Sequence, residues 1–252
     1  VQAQTYQDWE CIVVDDSSSD ETPIVLEQLA SHDARIIPVR MDRGHKQFPG
    51  IYAVLNQGLL RARGEYIARL DDDDEWIDVR KLELQIAYLD AHQDCAVVGG
   101  GMVVRDVNNV EKFRYFKAEK DADIRAGALL ANPIQHPTVL MRTSALREAG
   151  GYPHQRYAED WELWLTLGKK WKLHNLKEYF TAYEQSDRSW SYVVARPQSR
   201  AILGIITRHR KEYPGYWKGL ALNGSQYLYT LLPSIVRKPL VSVLSKVKRE
   251  II

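Results

Sequence analysis

Leu70-Asp71-Asp72-Asp73-Asp74-Glu75-Trp76 is the stretch on which the reading of this chain turns. Its five consecutive acids follow Tyr66-Ile67-Ala68-Arg69-Leu70, a short apolar run with strand character. Two carboxylates ~6 Å apart repel by about 3 kcal/mol at an effective dielectric near 20, so a fold that gathers several needs a cation, protonation or bulk water. On an extended segment, residues two apart point the same way, which predicts that Asp71 and Asp73 share one ion. Hard oxygen ligands suit Mg²⁺ or Mn²⁺, particularly where substrate phosphates complete the shell. A solvated acidic loop is the competing reading, and the run alone does not decide between them.

Strand and helix signals alternate on both sides of this run. Upstream, Glu10-Cys11-Ile12-Val13-Val14 is β-rich and empties into the turn Asp15-Asp16-Ser17-Ser18-Ser19-Asp20. A helix is predicted next, with Ile24, Val25, Leu26 and Leu29 as its apolar stripe. Arg35 to Val39 reads as a strand whose Pro38 marks an edge or an end. A second helix is predicted over 48–62, closed by Gly64 in the C-terminal glycine position. Downstream, Trp76 to His92 reads as a helix with Leu82, Ile86 and Leu89 on one face, and Cys95 to Gly99 as a strand. Such alternation predicts an α/β layer fold with a largely parallel sheet. Beyond residue 100 the expectations are a hairpin around Asn108-Asn109, a helix over 123–130 and a short strand over 138–142. A helix over 161–170 and strand-like pieces over 173–183 follow, and the chain turns helical and basic from about Ser191.

Two other places collect carboxylates. Asp15 and Asp16 close a predicted strand, and in α/β sheets ligands bind outside the carboxyl ends of the strands. An acid there can accept hydrogen bonds from a base or ribose; an Asx turn or helix cap would explain the same pair. Tyr157-Ala158-Glu159-Asp160-Trp161 opens a helix at Glu159-Asp160. The macrodipole stabilises acids at that end, so capping explains them as well as a general base does, and a base must also reach an acceptor hydroxyl.

The order of these motifs resembles family 2 glycosyltransferases over roughly residues 1–190. Gln4-Thr5-Tyr6-Gln7-Asp8-Trp9-Glu10-Cys11-Ile12-Val13-Val14-Asp15-Asp16, with Ser18, Asp20 and Thr22, is similar to the family's opening motif. Asn56-Gln57-Gly58, Arg63-Gly64-Glu65-Tyr66 and the L-D-x-D-D of Leu70 to Asp74 follow in order. Gln135-His136-Pro137-Thr138, Gly150-Gly151-Tyr152 and Glu159-Asp160 with Leu163-Trp164-Leu165 complete it.

The resemblance implies a GT-A fold, α/β with a mixed, mostly parallel sheet flanked by helices and a helical C-terminal tail. Residues 1–190 would form the glycosyltransferase domain and 191–252 a basic helical extension. It implies sugar transfer with inversion from a UDP- or GDP-sugar to a saccharide or lipid-linked acceptor, in cell-envelope or surface polysaccharide synthesis. Asp160 would be the general base; Asp15, Asp16 and Asp72 would bind the nucleotide donor; Asp71 and Asp73 would hold Mn²⁺ or Mg²⁺. Glu159, His136 and Trp161 would support the acceptor side, and Asp74 and Glu75 the metal site. The alternatives are a nucleotidyltransferase acting on sugar phosphates, whose Gly-rich basic phosphate loop is not seen in the sequence, and a non-catalytic binding protein with the same fold.

Two departures from the family pattern bear on this reading. The family's first strand has no counterpart before Val1, so a truncated fragment beginning inside the following helix is expected. Tyr183-Glu184-Gln185-Ser186 stands where many relatives carry Y-R-x-H, which puts a fourth metal ligand in doubt. Gln185 to Trp190 has one residue too many for the Q-x-x-R-W of processive synthases.

Composition sets the remaining bounds. The chain has 252 residues, 45% of them apolar, enough for one sizeable core. Cys11 and Cys95 sit far apart in apolar runs, which fits a reducing compartment better than a disulfide framework or zinc site. The net charge of +1 divides unevenly, with −8 over residues 1–190 and +9 over 191–252. No nucleic-acid motif accompanies the basic part. Leu240, Val243, Leu244, Val247 and Ile251 share one helical face, with Lys246, Lys248 and Arg249 nearby. That pattern predicts either an interfacial helix on anionic lipid or a helix docked on the body. With no stretch of 18 apolar residues, the expected location is cytoplasmic, or peripheral on the inner face of the plasma membrane.

Overall fold

The structure, a computed structural model, describes residues 1–42, 50–185 and 195–232. The first half alternates β1 (Cys11–Asp15), α1 (Thr22–His32), β2 (Ile36–Arg40), α2 (Ile51–Arg61), β3 (Tyr66–Ala68), β4 (Asp74–Trp76), α3 (Lys81–Ala91) and β5 (Cys95–Arg105). Next come β6 (Glu111–Tyr115), α4 (Asp121–Gly127), a 3-10 turn (His136–Thr138), β7 (Leu140–Arg142), α5 (Thr143–Glu148), α6 (Glu159–Leu167) and β8 (Lys172–Glu184). Helices α7 (Ala195–Arg208) and α8 (Tyr216–Leu231) close the described chain. The predicted tail helix from Leu240, and most of the segment from Gln185 to Trp190, lie outside the described residues.

The main sheet has the order β3-β7-β5-β8-β4, with β6 also on β5. Strand β5 organises it: Val97 and Val98 pair with β7, Met102 to Arg105 pair with β6, and the other edge runs parallel to β8. The expectation of a mostly parallel sheet is corrected here, because only β1–β2 and β5–β8 are parallel among the described pairings. A parallel partner needs a crossover of a dozen or more residues. The tight turn over 106–110 cannot supply one, so β6 returns antiparallel. Strands β1 and β2 form a separate two-stranded sheet, and β3 stands at the end of the main one. Residues 1–10 form turns and extended chain rather than a helix, and Gln4 ties them to α3 through Asp78 O (2.8 Å) and Leu82 N (3.0 Å).

Several local expectations give way to tertiary context. On α1 only Leu26 is buried, while Ile24, Val25 and Leu29 face outward, because a two-stranded sheet is too narrow to cover the whole stripe. Helix α2 ends at Ala62 in extended conformation, and Gly64 does not take the left-handed φ of a glycine cap. Trp76 belongs to β4, and α3 starts at Lys81, with Leu82 and Leu89 buried as predicted. The strand pieces over 173–183 are one 13-residue strand.

The core lies on both faces of the main sheet. Val97, Met141, Leu146, Leu163 and the fully buried Trp164 pack beneath α2, α5 and α6. Leu82, Leu89, Cys95, Val98 and Leu140 fill the α3 side. Burying each of the larger side chains contributes about 2–3 kcal/mol. Lys81 is fully buried in that second layer, its Nζ donating to Gln85 Oε1 at 2.8 Å and lying 4.2 Å from the Trp76 ring centroid. Gln85 in turn donates to Thr138 O (2.8 Å), and Trp76 Nε1 to Pro137 O (3.2 Å). These bonds fix the turn that carries His136.

Candidate active site

The acid run sits where β3 ends and β4 begins, and its local shape differs from the extended segment expected. Asp72 and Asp73 occupy a turn closed by Asp74 N donating to Asp71 O (3.3 Å). Asp71 and Asp73 are therefore related by a turn, and strand alternation does not align them. Beyond the turn, β4 separates its acids by the pleat. Glu75 points out to an ion pair with Arg105 (2.9 Å), whereas Asp74 turns in, with Oδ1 buried and no hydrogen-bond partner. Burial, then the charges of Asp71 and Asp73, push the Asp74 carboxyl up to about 8. Burial also raises Asp71, and Arg69 opposes it.

Arg69, one residue before the run, is the cation of this site. Its guanidinium pairs with Asp71 and donates to Leu70 O, and its Nε is buried with no partner. Its field also acts on His136, Tyr152 and Glu159. One arginine thus connects the acid run with the two later motifs. Burial, and then Arg69, hold His136 well below the ordinary imidazole range, so its ring is neutral. His136 Nε2 and the Tyr152 hydroxyl lie 2.9 Å apart as a hydrogen-bonded pair.

The motifs around Asn56 and Gly151 gain a physical explanation. The Asn56 side chain donates to Tyr152 O (2.8 Å) and accepts from Tyr152 N (2.9 Å). Gly151 has φ +81°, and a Cβ there would lie 2.5 Å from Asn56 Oδ1, so glycine alone fits. Asn56 therefore positions Tyr152, and Tyr152 positions His136.

Glu159 and Asp160 open α6 as the sequence predicts. The residue before them, Ala158, is left-handed at φ 56°, ψ 38°, an uncommon conformation for a residue with a Cβ. Glu159 is buried, and burial with the neighbouring Asp160 charge raises its carboxyl. Burial likewise raises Asp160, against the opposing bond from Asn132 Nδ2 to its Oδ2 (2.6 Å). That bond, with backbone N–H groups at the start of α6, fixes the carboxylate. Trp161 is buried in the core between α6 and α7, donating to Ala128 O at 2.8 Å.

Asp15 and Asp16 lie at the end of β1, in the smaller sheet. Asp15 Oδ1 accepts from Ser18 N (2.8 Å), and its Oδ2 is 3.9 Å from Arg40 Nε. The turn-forming reading of Asp15 thus holds, and such a turn also fixes where the carboxylate points. Arg69 and Asn132 are the site residues that motif reading missed, and Tyr152, named within its motif, was given no role. Arg69 carried a signal, as a lone cation between an apolar run and five acids.

The acid run also suits a divalent cation. Its carboxylates raise one another, and one of them buries an oxygen without a donor. Among the described residues no three His, Cys, Asp or Glu side chains form a ready-made cage. Mg²⁺-type sites bound by one or two carboxylates plus substrate phosphates do not need one.

Comparison with solved structures identifies the architecture as GT-A. Staphylococcus aureus TarS 1-349 in complex with UDP matches with a TM-score of 0.58 at 18% identity, over 90% of this chain and 64% of that one. Mannosyltransferase PcManGT from Pyrobaculum calidifontis, in complex with GDP-Man and Mn²⁺, matches with a TM-score of 0.61 at 14% identity, over 97% and 73%.

The chain belongs to glycosyltransferase family 2: residues 1–150 match the profile described as Glycosyl transferase family 2. EpsE of Bacillus subtilis (strain 168), named as a glycosyltransferase, is 35% identical over 201 residues, 76% of this chain and 70% of EpsE. The GalNAc(5)-diNAcBac-PP-undecaprenol beta-1,3-glucosyltransferase of Campylobacter jejuni is 30% identical over 171 residues, 68% of this chain and 53% of that enzyme. The chain thus spans about half the length of that second relative.

Proposed function

We propose that this chain transfers a sugar, with inversion, from a UDP- or GDP-sugar to a saccharide or lipid-linked acceptor in surface polysaccharide synthesis. The observation that carries this reading is the electrostatic contact between the two motifs: Arg69 acts on both Asp71 of the acid run and Glu159, and the Asp71 charge acts on Asp160. Donor diphosphate and acceptor hydroxyl must meet within one such space. Asp160, fixed by Asn132 and raised by burial, is the general base that takes the acceptor proton. A carboxylate raised toward the working pH is the better base. Glu159 and the neutral His136 shape the acceptor side. Asp15 and Asp16 take the nucleotide base, and Asp72, on the turn, faces the sugar-nucleotide. Asp71 and Asp73 would hold Mn²⁺ or Mg²⁺, which when bound neutralises charge on the departing diphosphate. Arg69 adds a second positive charge beside that leaving group.

The relatives supply the context for donor and acceptor. UDP and GDP-Man accompany the structural neighbours, and the Campylobacter enzyme is named for an undecaprenol-linked substrate. No helix among the described residues is long and apolar enough to cross a membrane. A peripheral place on the inner membrane face is the reading that suits a lipid-linked acceptor.

Nucleoside diphosphate release from a panel of UDP- and GDP-sugars, with Mn²⁺ or with EDTA, tests the proposal. Release from one donor class, abolished by EDTA and restored by Mn²⁺, is expected. Donor binding without release under any condition would instead identify a non-catalytic binding protein.

A further inference from the structure

Helix α8 is amphipathic in the reverse sense. Its buried residues are small or polar: Gly219, Asn223 and Thr230. Asn223 Nδ2 donates to Leu130 O (3.1 Å) and to Gly219 O (2.9 Å). Gly219 packs so closely that a Cβ would overlap the Leu129 carbonyl oxygen. The outward side carries an apolar stripe, flanked by the exposed Lys218, Ser225 and Gln226. Trp217 is 76% exposed, Leu228 63% and Leu231 44%. Ala221 and Gly224 fill the positions between them at alternating steps of four and three, so the five form one stripe. Over 14 residues at 1.5 Å each, the stripe is roughly 21 Å long. Leu232, also exposed, extends it.

We propose that this stripe docks α8 flat on an anionic lipid bilayer. Charge selects the occupant. From Tyr213 to Arg249 the sequence contains no acid and six basic residues, and Lys218 borders the stripe itself. Lys218 is the one charged residue within α8 and the other five follow it in sequence, so the charge that accompanies the apolar stripe has a single sign and matches an anionic headgroup layer. Trp217 supplies an amphipathic ring of the kind that favours the membrane–water interface. The docked helix also lies beside the chemistry: α8 holds Leu130, and Asn132, two residues on, holds Asp160. The inference gives physical form to the lipid-linked acceptor in the proposed function, yet vesicle binding can be measured without any turnover.

The full chain is sedimented with phosphatidylcholine vesicles and with phosphatidylcholine–phosphatidylglycerol vesicles. Binding to the anionic vesicles is expected, with Trp217→Ser/Leu228→Ser lowering the partition coefficient at least tenfold and Lys218→Glu lowering it severalfold. Unchanged melting temperatures show that these exposed positions leave the fold intact, and Leu231→Ser serves if the double variant does not fold. Nucleotide release with a soluble acceptor should persist in all variants, so loss of vesicle binding and failure of the catalytic reading remain separable. Vesicle binding that survives the double variant, or is absent in the parent chain, overturns the proposal. So does a parent dimer that the double variant converts to monomer, since a second copy would then cover the stripe.

Discussion

Replacing Asp74 with Asn isolates the electrostatic cost of the acid run. In the folded chain its carboxyl is pushed up to about 8, from 3.8, by burial and then by Asp71 and Asp73. The folded state therefore holds the proton more tightly than the unfolded one. Stability from this group is fully present below pH 4 and is lost as pH rises from about 4 to about 8. At about 1.4 kcal/mol per pH unit the loss has an upper bound of about 6 kcal/mol. Relaxation and water at the partly exposed turn reduce that to roughly 2–3 kcal/mol. For a chain of this length each kcal/mol moves Tm by about 2–4 °C, so the expected difference at pH 8 is roughly 5–10 °C. Thermal unfolding at pH 5, 6.5 and 8 in chelator measures it. Asp74→Asn should melt close to the parent at pH 5 and well above it at pH 8. The parent should regain much of that gap when Mn²⁺ is added at pH 8, because a ligand that binds only the folded state stabilises it. Equal Tm differences at all three pH values, or a variant less stable at pH 8, would refute the reasoning.

Two further substitutions test the neighbouring features. Arg69→Met removes a charge that lowers Asp71 and Glu159, so protonation of these two carboxyls should move to higher pH by on the order of one unit, about 1.4 kcal/mol; a carboxyl carbon NMR titration of parent and variant checks it. Ala158 stands at φ 56°, where a Cβ costs about 1–2 kcal/mol. Ala158→Gly should keep Tm or raise it by a few degrees, whereas Ala158→Val should cost about 2 kcal/mol or more, both read from thermal unfolding.

Much of the fold was legible because its signals are local. The alternation through residue 100 follows from apolar periodicity, and Asp15, the acid run and Glu159-Asp160 all fall at the predicted element ends. What was missed depends on contacts distant in sequence. The turn at Asp72-Asp73 and the inward rotation of Asp74 arise from pairing of β4 with β8, more than 100 residues away. Ile24, Val25 and Leu29 look like a core stripe, yet the sheet they meet has two strands. Asn56 and Tyr152 are 96 residues apart, so their reciprocal hydrogen bonds leave no spacing to read. Strand direction was overcalled for a related reason: β3, β4 and β7 are three residues each, too short for pattern to reveal orientation.

The central claim is that the acid run and Asp160 divide donor anchoring from proton removal. Asp160→Asn keeps the size of the side chain and the helix start but removes the base. With Mn²⁺ and the donor found in the panel, donor affinity and sugar transfer are measured on the same preparation. The account predicts a donor Kd within about threefold of the parent and transfer reduced at least 10²-fold, the usual scale of general-base catalysis. Transfer at parental rate would contradict it.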